Sequence, residues 1–87
     1  MSLRFLGSEA ACGVNVGAAS TFLDAMDVRL VNSGSSIRVV TIANAADTTL
    51  ATFTIAAGEV SIVRKNPTDQ IFAANAEVLG SPVVTEG

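Results

Sequence analysis

The stretch "AMDVRLVNSGSSIRVVTIAN", residues 25–44, contains a strand pattern, a turn and a second strand pattern in direct succession. In its first part, apolar and charged residues alternate with the period of two that is typical of a β-strand. The apolar residues are Met26, Val28 and Leu30, and the charged residues are Asp27 and Arg29. Gly34 permits the positive φ that a tight turn uses, and it lies in the small polar segment "NSGS". We therefore interpret residues 25–44 as a half-buried strand, a turn and another strand.

The second half, "SIRVVTIAN", is apolar on both faces, which predicts a central strand covered on both sides. The next run, "LATFTIAAG", alternates apolar residues with Thr52 and Thr54, and threonine favours the pleated backbone on a solvated face. "VSIVRK" is predicted to be a further strand, with Val60 and Ile62 as its core pair.

Turn signals separate all of these runs. Gly58 begins the turn before "VSIVRK", and the segment "NPTD" after it combines a proline with Asp69, whose side chain is expected to cap the loop. "QIFAAN" and "AEVLG" are shorter strand candidates. Strands that recur every 8–12 residues or so predict an all-β fold: a small antiparallel β-sandwich or barrel with about six to seven short strands.

The chain is predicted to form a single domain over residues 1–87. Within it, residues 1–22 differ in composition from residues 23–87, which are predicted to form the β-domain. They are rich in small residues and alternate weakly, which favours an N-terminal arm or edge segment that becomes ordered on assembly. An ordinary first hairpin is the alternative. A short helical turn around residues 20–25, capped by Ser20, is the one place for helix. The candidate partner contacts in the arm are Leu3, Phe5 and Leu6.

Composition argues against several classes of function. The 87 residues include no histidine, which removes the commonest general base and most zinc ligand sets. The one cysteine, Cys12, has no histidine partner and is interpreted as a buried structural residue. The seven glycines form no phosphate-binding loop. We expect no enzyme, no cofactor and no metal; the close pair Asp24 and Asp27 is interpreted as a solvated strand entrance rather than a calcium site.

Charge and hydropathy also limit the partners. The net charge of −3 and the scattered cations argue against nucleic acid as a partner. No export signal or membrane span is expected, because the longest uncharged run is too short and is interrupted by polar residues and glycine. Charged residues make up 15% of the chain and hydrophobic residues 49%, so we expect apolar surface that faces a partner; a monomer with a neutral polar surface is the alternative.

Arg64 and Lys65 form the only adjacent pair of cations. Because Arg64 has the same parity as Val60 and Ile62, it is predicted to lie at the edge of the inner face, and there it needs a partner carboxylate. Asp69 or a carboxylate of a neighbouring subunit are the candidates. Lys65 is predicted to point outward and to protect the strand end from unwanted pairing. A solvated strand terminus is the alternative for both residues.

The segments "VRLVNSGSSIRVVTIANA" and "TFTIAAGEVSIVRKNPTDQIFA", with the tail "SPVVTEG", resemble small virion proteins of marine tailed phages, notably cyanophages. The resemblance implies a decoration or cement protein that is made in the host cytoplasm and binds the capsid surface. Its partners would be the major capsid protein lattice or other virion proteins, and a homo-oligomer, preferably a trimer, is expected. A glycan- or receptor-binding module of a head or tail fibre is the alternative, although the sequence has no Trp or Tyr to stack on a sugar.

Overall fold

The computed structural model describes residues 2–86, which form eight strands and one short 3-10 helix. The strands are β1 (Ser2–Phe5), β2 (Ala10–Ala11), β3 (Asp27–Asn32), β4 (Arg38–Ala43), β5 (Thr49–Ile55), β6 (Val60–Arg64), β7 (Gln70–Ala73) and β8 (Val78–Glu86), and the 3-10 helix is Val16–Ala18. Within this range no helix has the length and hydropathy of a membrane-spanning segment.

The strands form two antiparallel sheets. In the larger sheet the order is β1-β8-β3-β6, and β2 pairs with another part of β8; in the smaller sheet it is β5-β4-β7. The core draws residues from both sheets, so the inner faces pack against each other as in a small β-sandwich. The prediction of an all-β antiparallel fold is confirmed, with a sandwich rather than a barrel.

The core consists of small and branched side chains that are fully inaccessible to solvent. They include Val28, Leu30, Val40, Ile55, Ile71 and Val78. Gly80 also lies inside, because a Cβ atom there would approach within 2.6 Å of Phe22 Cζ. The ring of Phe22 therefore packs directly on the backbone of β8 and fills the space that a side chain at Gly80 would occupy.

Strand β6 has the opposite orientation to the one predicted. Val60 and Ile62 are about half exposed (47% and 46%), and Val63 is turned inward. The reason is the pairing with β3, in which Val63 lies opposite the buried Val28. Because side chains directly opposite each other share a face, β3 decides which side of β6 is buried.

Strand β4 is central in its sheet, as predicted, but only one of its faces is covered. Val40 is fully buried, while Val39 is 47% exposed and the neighbouring Ile37 is 67% exposed. No second layer covers that face within residues 2–86. The expectation of a strand covered on both sides was therefore wrong, since the two sheets supply only one interior between them.

The first 22 residues do not form a free arm. Strand β1 pairs with the end of β8, and β2 pairs with its beginning. Two isolated bridges, Gly13 with Phe72 and Ser20 with Ile71, attach the rest of the segment to β7. The segment therefore lies at the edges of the two sheets and pairs within one chain, whereas the sequence favoured an arm or edge segment that becomes ordered only on assembly.

Cys12 lies in this segment with 2% of its surface exposed, and burial raises the pKa of its thiol from 9.0 to about 11. The folded protein keeps this proton where the unfolded chain loses it. Its contribution to stability is therefore complete below pH 9.0 and is lost as the pH rises through about 11.

We expect the native thiol to react with a disulfide reagent near pH 8 about 100-fold more slowly than the unfolded chain, because two pKa units lower the thiolate fraction by that factor. Stopped-flow absorbance with and without denaturant measures the ratio. Between pH 9 and about 11 the free energy of unfolding should fall less in the Cys12→Ala variant than in the unmodified protein, because the variant lacks the buried thiol. Equal rates for the native and unfolded protein would contradict the burial of Cys12.

Candidate functional site

A turn of left-handed backbone precedes β3. Phe22, Leu23 and Asp24 have φ angles of 52°, 61° and 56°, in a region that side chains other than glycine rarely adopt. Each such residue costs roughly 1–2 kcal/mol relative to right-handed helix. The sequence predicted a short helical turn here, and the observed turn has the opposite hand.

Local contacts hold the turn. The Ser20 hydroxyl accepts a hydrogen bond from the Phe22 amide at 3.0 Å, and the Ala25 amide donates to the Phe22 carbonyl at 3.2 Å. The buried Phe22 ring packs over Gly80 and anchors the turn to the interior of the sandwich. Leu23 is consequently pushed outward and is 74% exposed. Backbone strain of this kind persists only where surrounding contacts enforce it, and it is concentrated at functional sites.

Beside the turn lies an open cleft of about 390 Å³. Three apolar side chains at its rim are about half exposed or more: Leu6 (49%), Leu23 (74%) and Met26 (52%). We refer to these three residues as the apolar rim. The charged side chains that line the cleft are Asp24, Asp27 and Arg64. No aromatic side chain of the described residues lines it.

The ion pair between Asp27 and Arg64 is the most ordered charged feature of the cleft. Arg64 Nε donates to Asp27 Oδ1 at 2.9 Å, and its Nη2 donates to Oδ2 at 3.0 Å. The two residues lie directly opposite each other in the pairing of β3 with β6. The hydrogen bond and the charge of Asp27 raise the pKa of Arg64 above its usual value, so the guanidinium stays protonated at any physiological pH.

The pair is asymmetric in exposure. The Asp27 side chain is 7% exposed and that of Arg64 is 68% exposed. A guanidinium carries five N–H donors, and Nε and Nη2 of Arg64 each donate to one oxygen of Asp27. Asp27 therefore fixes the plane of the guanidinium while the outer donors face the solvent. The cleft thus presents oriented N–H donors beside apolar side chains and the carboxylates of Asp24 and Asp27, which suits a neutral hydrogen-bond acceptor on an apolar surface.

The structure assigns Arg64 and Lys65 the reverse of their predicted orientations. Arg64 lies on the outer face and binds Asp27 rather than Asp69. Lys65 is 6% exposed, and its Nζ donates to the carbonyls of Asn66 (3.3 Å) and Pro67 (3.0 Å). Burial lowers the pKa of Lys65, while the charges of Asp69 and Asp24 act against that shift. Lys65 therefore stabilises the turn after β6 and does not protect an exposed strand end.

The other predicted contact residues are dispersed. Asp69 accepts a hydrogen bond from the Asn66 amide at 3.1 Å, which is the loop cap expected from the sequence. Leu6 belongs to the apolar rim. Phe5 is 56% exposed and lies opposite Val83 of β8. The side chain of Leu3 lies outside the described residues, although its backbone pairs with Thr85.

Sequence reasoning missed three residues of this site. Leu23 carries no motif, because its exposure follows from the hand of the turn. Met26 was predicted to share the buried face of the strand with Val28 and Leu30, but it precedes β3 and is 52% exposed. Asp27 was predicted to be a solvated residue beside Asp24, but it is 5% exposed, and only Asp24 lies in solvent. Among the described residues no group of three or more histidine, cysteine or acidic side chains is arranged to hold a metal ion.

Comparisons of the chain with protein-family models, with curated proteins and with solved structures gave no match. The candidate site therefore rests on its own geometry.

Proposed function

We propose that this protein is a non-enzymatic structural protein of a phage virion, which binds the assembled head as a decoration or cement protein. The observation that carries the proposal is the cleft beside β3, where the apolar rim surrounds the guanidinium that Asp27 orients. The resemblance of residues 28–78 to small virion proteins supports the same role.

A protein surface is the partner that this cleft suits best. Binding energy at protein interfaces is concentrated in a few apolar or arginine side chains whose surroundings exclude water. Leu23 supplies the largest exposed apolar side chain of the rim, and Arg64 supplies a cation that needs no further ordering on binding. We infer that a capsid subunit contributes a carbonyl or other neutral acceptor to the outer donors of Arg64 and apolar contacts to the rim.

Such binding stabilises a capsid by mass action. A protein that binds the assembled shell and not its free subunits shifts the equilibrium away from dissociation. The fold suits this role, because two β-sheets with a small shared core form a compact module that many copies of a lattice can accept.

The proposal predicts that Leu23→Asn and Arg64→Gln each reduce capsid occupancy. Asparagine tolerates the left-handed backbone, so Leu23→Asn removes the apolar contact and retains the turn. We expect the dissociation constant to rise about tenfold or more for each variant, the cost of one central interface contact. Co-sedimentation with purified heads of the phage that encodes the chain, over a range of concentrations, measures it.

Arg29→Gln is the matched control, since it removes one positive charge from the same sheet outside the cleft. Arg29 contacts Glu9 at 3.4 Å. The Arg29→Gln protein should bind heads with unchanged affinity, because such an exposed ion pair contributes little. Thermal unfolding of all three variants separates lost binding from lost folding. If Leu23→Asn and Arg64→Gln both bind heads as the unmodified protein does, the cleft is not the capsid contact.

The alternative of a host-surface glycan-binding module depends on one aromatic side chain. Phe5 is 56% exposed, whereas sugar-binding sites usually present Trp or Tyr. A glycan array probed with the unmodified protein and with Phe5→Ser distinguishes the two functions. Binding that Phe5→Ser abolishes, without binding to heads, would replace the capsid proposal.

A further inference from the structure

Strand β5 forms an edge of the smaller sheet. It pairs with β4 on one side, and no other strand among residues 2–86 pairs with it. Most of its residues are exposed, including Leu50 at 52%, and only Ile55 is buried. The inner-facing Phe53 is also only partly buried. The sandwich is therefore incompletely closed along this strand.

The other edge of the same sheet is covered. Ser20 and Gly13 form bridges with β7, and the Ser20 and Ile71 backbones exchange hydrogen bonds of 2.9 and 3.1 Å. In contrast, the structural protection of β5 is limited to a bulge at Leu50, near the start of the strand. Residues 48–58 contain no charged side chain and no proline.

The register identifies which backbone groups of β5 are open. The Ala74 amide donates to the Val39 carbonyl at 2.9 Å, so Val39 bonds toward β7. Alternate residues of an antiparallel strand bond to opposite sides, and therefore Val40 bonds toward Phe53, its partner on β5. The same alternation holds along β5 from Ala51 to Ile55 and directs the N–H and C=O groups of Thr52 and Thr54 away from β4.

We propose that this edge pairs with β5 of a second copy of the chain, antiparallel and with a two-fold axis at Thr52. In this register Thr52 lies opposite its own copy, so the two Thr52 residues exchange backbone hydrogen bonds, and Thr54 lies opposite the bulge at Leu50. Ala51 lies opposite Phe53, which places a small side chain against the partly exposed ring.

Charges do not oppose this register. Asp47 and Glu59, the acidic residues nearest to β5 on either side, fall opposite Ala57 and Ala45 of the other copy. The result is a continuous sheet of six strands built from two three-stranded sheets. The pairing gives a two-fold dimer rather than the trimer that the sequence favoured, and it is independent of the capsid proposal because β5 does not line the cleft.

Light scattering over a wide concentration range tests the pairing with Thr52→Pro and Thr52→Val. Proline removes the amide at the axis and is tolerated where that amide faces solvent. We expect the unmodified protein and Thr52→Val to be dimeric, and Thr52→Pro to weaken the dimer about tenfold or more through the lost backbone bonds.

A second pair of variants uses side-chain charge and leaves the backbone unchanged. Thr52→Lys and Thr52→Glu each place like charges opposite each other at the axis. A mixture of the two variants should form a dimer with one copy of each. Its affinity should be about threefold or more above that of either variant for itself. A monomeric unmodified protein would overturn the proposal. So would a dimer or trimer that all of these variants leave unchanged.

Discussion

Replacing Asn32 by leucine is expected to lower the free energy of unfolding by about 3 kcal/mol, since buried polar groups lose their partners. Asn32 is fully buried at the end of β3. Its side-chain amide donates to the carbonyls of Ser36 at 2.7 Å and Ile55 at 3.2 Å, and its Oδ1 accepts from the Gly34 amide at 3.0 Å. One side chain thus joins the turn after β3 to the end of β5.

Leucine has a similar size but satisfies none of these groups. The Ile55 carbonyl would lose its bond from Asn32 in the interior, where water does not replace it. Urea unfolding followed by circular dichroism measures the change. Asn44→Ala is the matched control: its Oδ1 accepts hydrogen bonds from Ala46 and Thr48 in an exposed turn, where water can take over, so about 1 kcal/mol or less should be lost. Equal losses for the two variants would contradict the role of Asn32.

Deletion of residues 2–11 is expected to abolish cooperative folding or to lower the free energy of unfolding by at least about 3 kcal/mol, at roughly 1 kcal/mol for each lost backbone hydrogen bond. This segment supplies β1, β2 and the Leu6 amide, which donates to the Pro82 carbonyl at 2.9 Å. Its loss exposes one edge of β8, the strand that also carries Val78 and Val83 in the interior.

Differential scanning calorimetry and a two-dimensional NMR amide spectrum measure the effect. Addition of a synthetic peptide of residues 1–11 should partly restore dispersed amide signals, because the edge of β8 remains available. A truncated protein with an unchanged unfolding temperature would show that the segment behaves as a dispensable arm. An arm was one of the interpretations that the sequence allowed for residues 1–22, and the pairing with β8 argues against it.

The strands were predictable where one face is apolar and the other polar. Val28 and Leu30 of β3 are fully buried as predicted, because a single parity carries the apolar residues. In β6 the run "VSIV" places apolar residues at both parities, so local alternation did not decide its inner face. The prediction followed Val60 and Ile62, whereas pairing with β3 selected Val63.

The candidate site was predictable only in its residue types. Arg64 was expected to need a carboxylate, and it has one, but Asp27 lies 37 residues away in the chain and reaches it through strand pairing. The left-handed turn at residues 22–24 has no signal in the sequence, since Phe and Leu ordinarily avoid that backbone. Packing of Phe22 over Gly80 enforces the turn, and such a contact joins distant parts of the chain.

By itself, the sequence determined the all-β class, the turns at Gly58 and Asp69, and the inner face of β3, because backbone conformation and side-chain alternation are local properties. Gly34 does not have the positive φ that the sequence suggested, and the reason for glycine there is tertiary, because Glu77 occupies the space of a Cβ atom. The tertiary structure alone decided which sheet each strand joins, that residues 2–11 complete the larger sheet, and that Arg64 faces outward beside the apolar rim. These features depend on pairing between distant strands and on competition for one small interior, and neither is encoded in any single stretch of the chain.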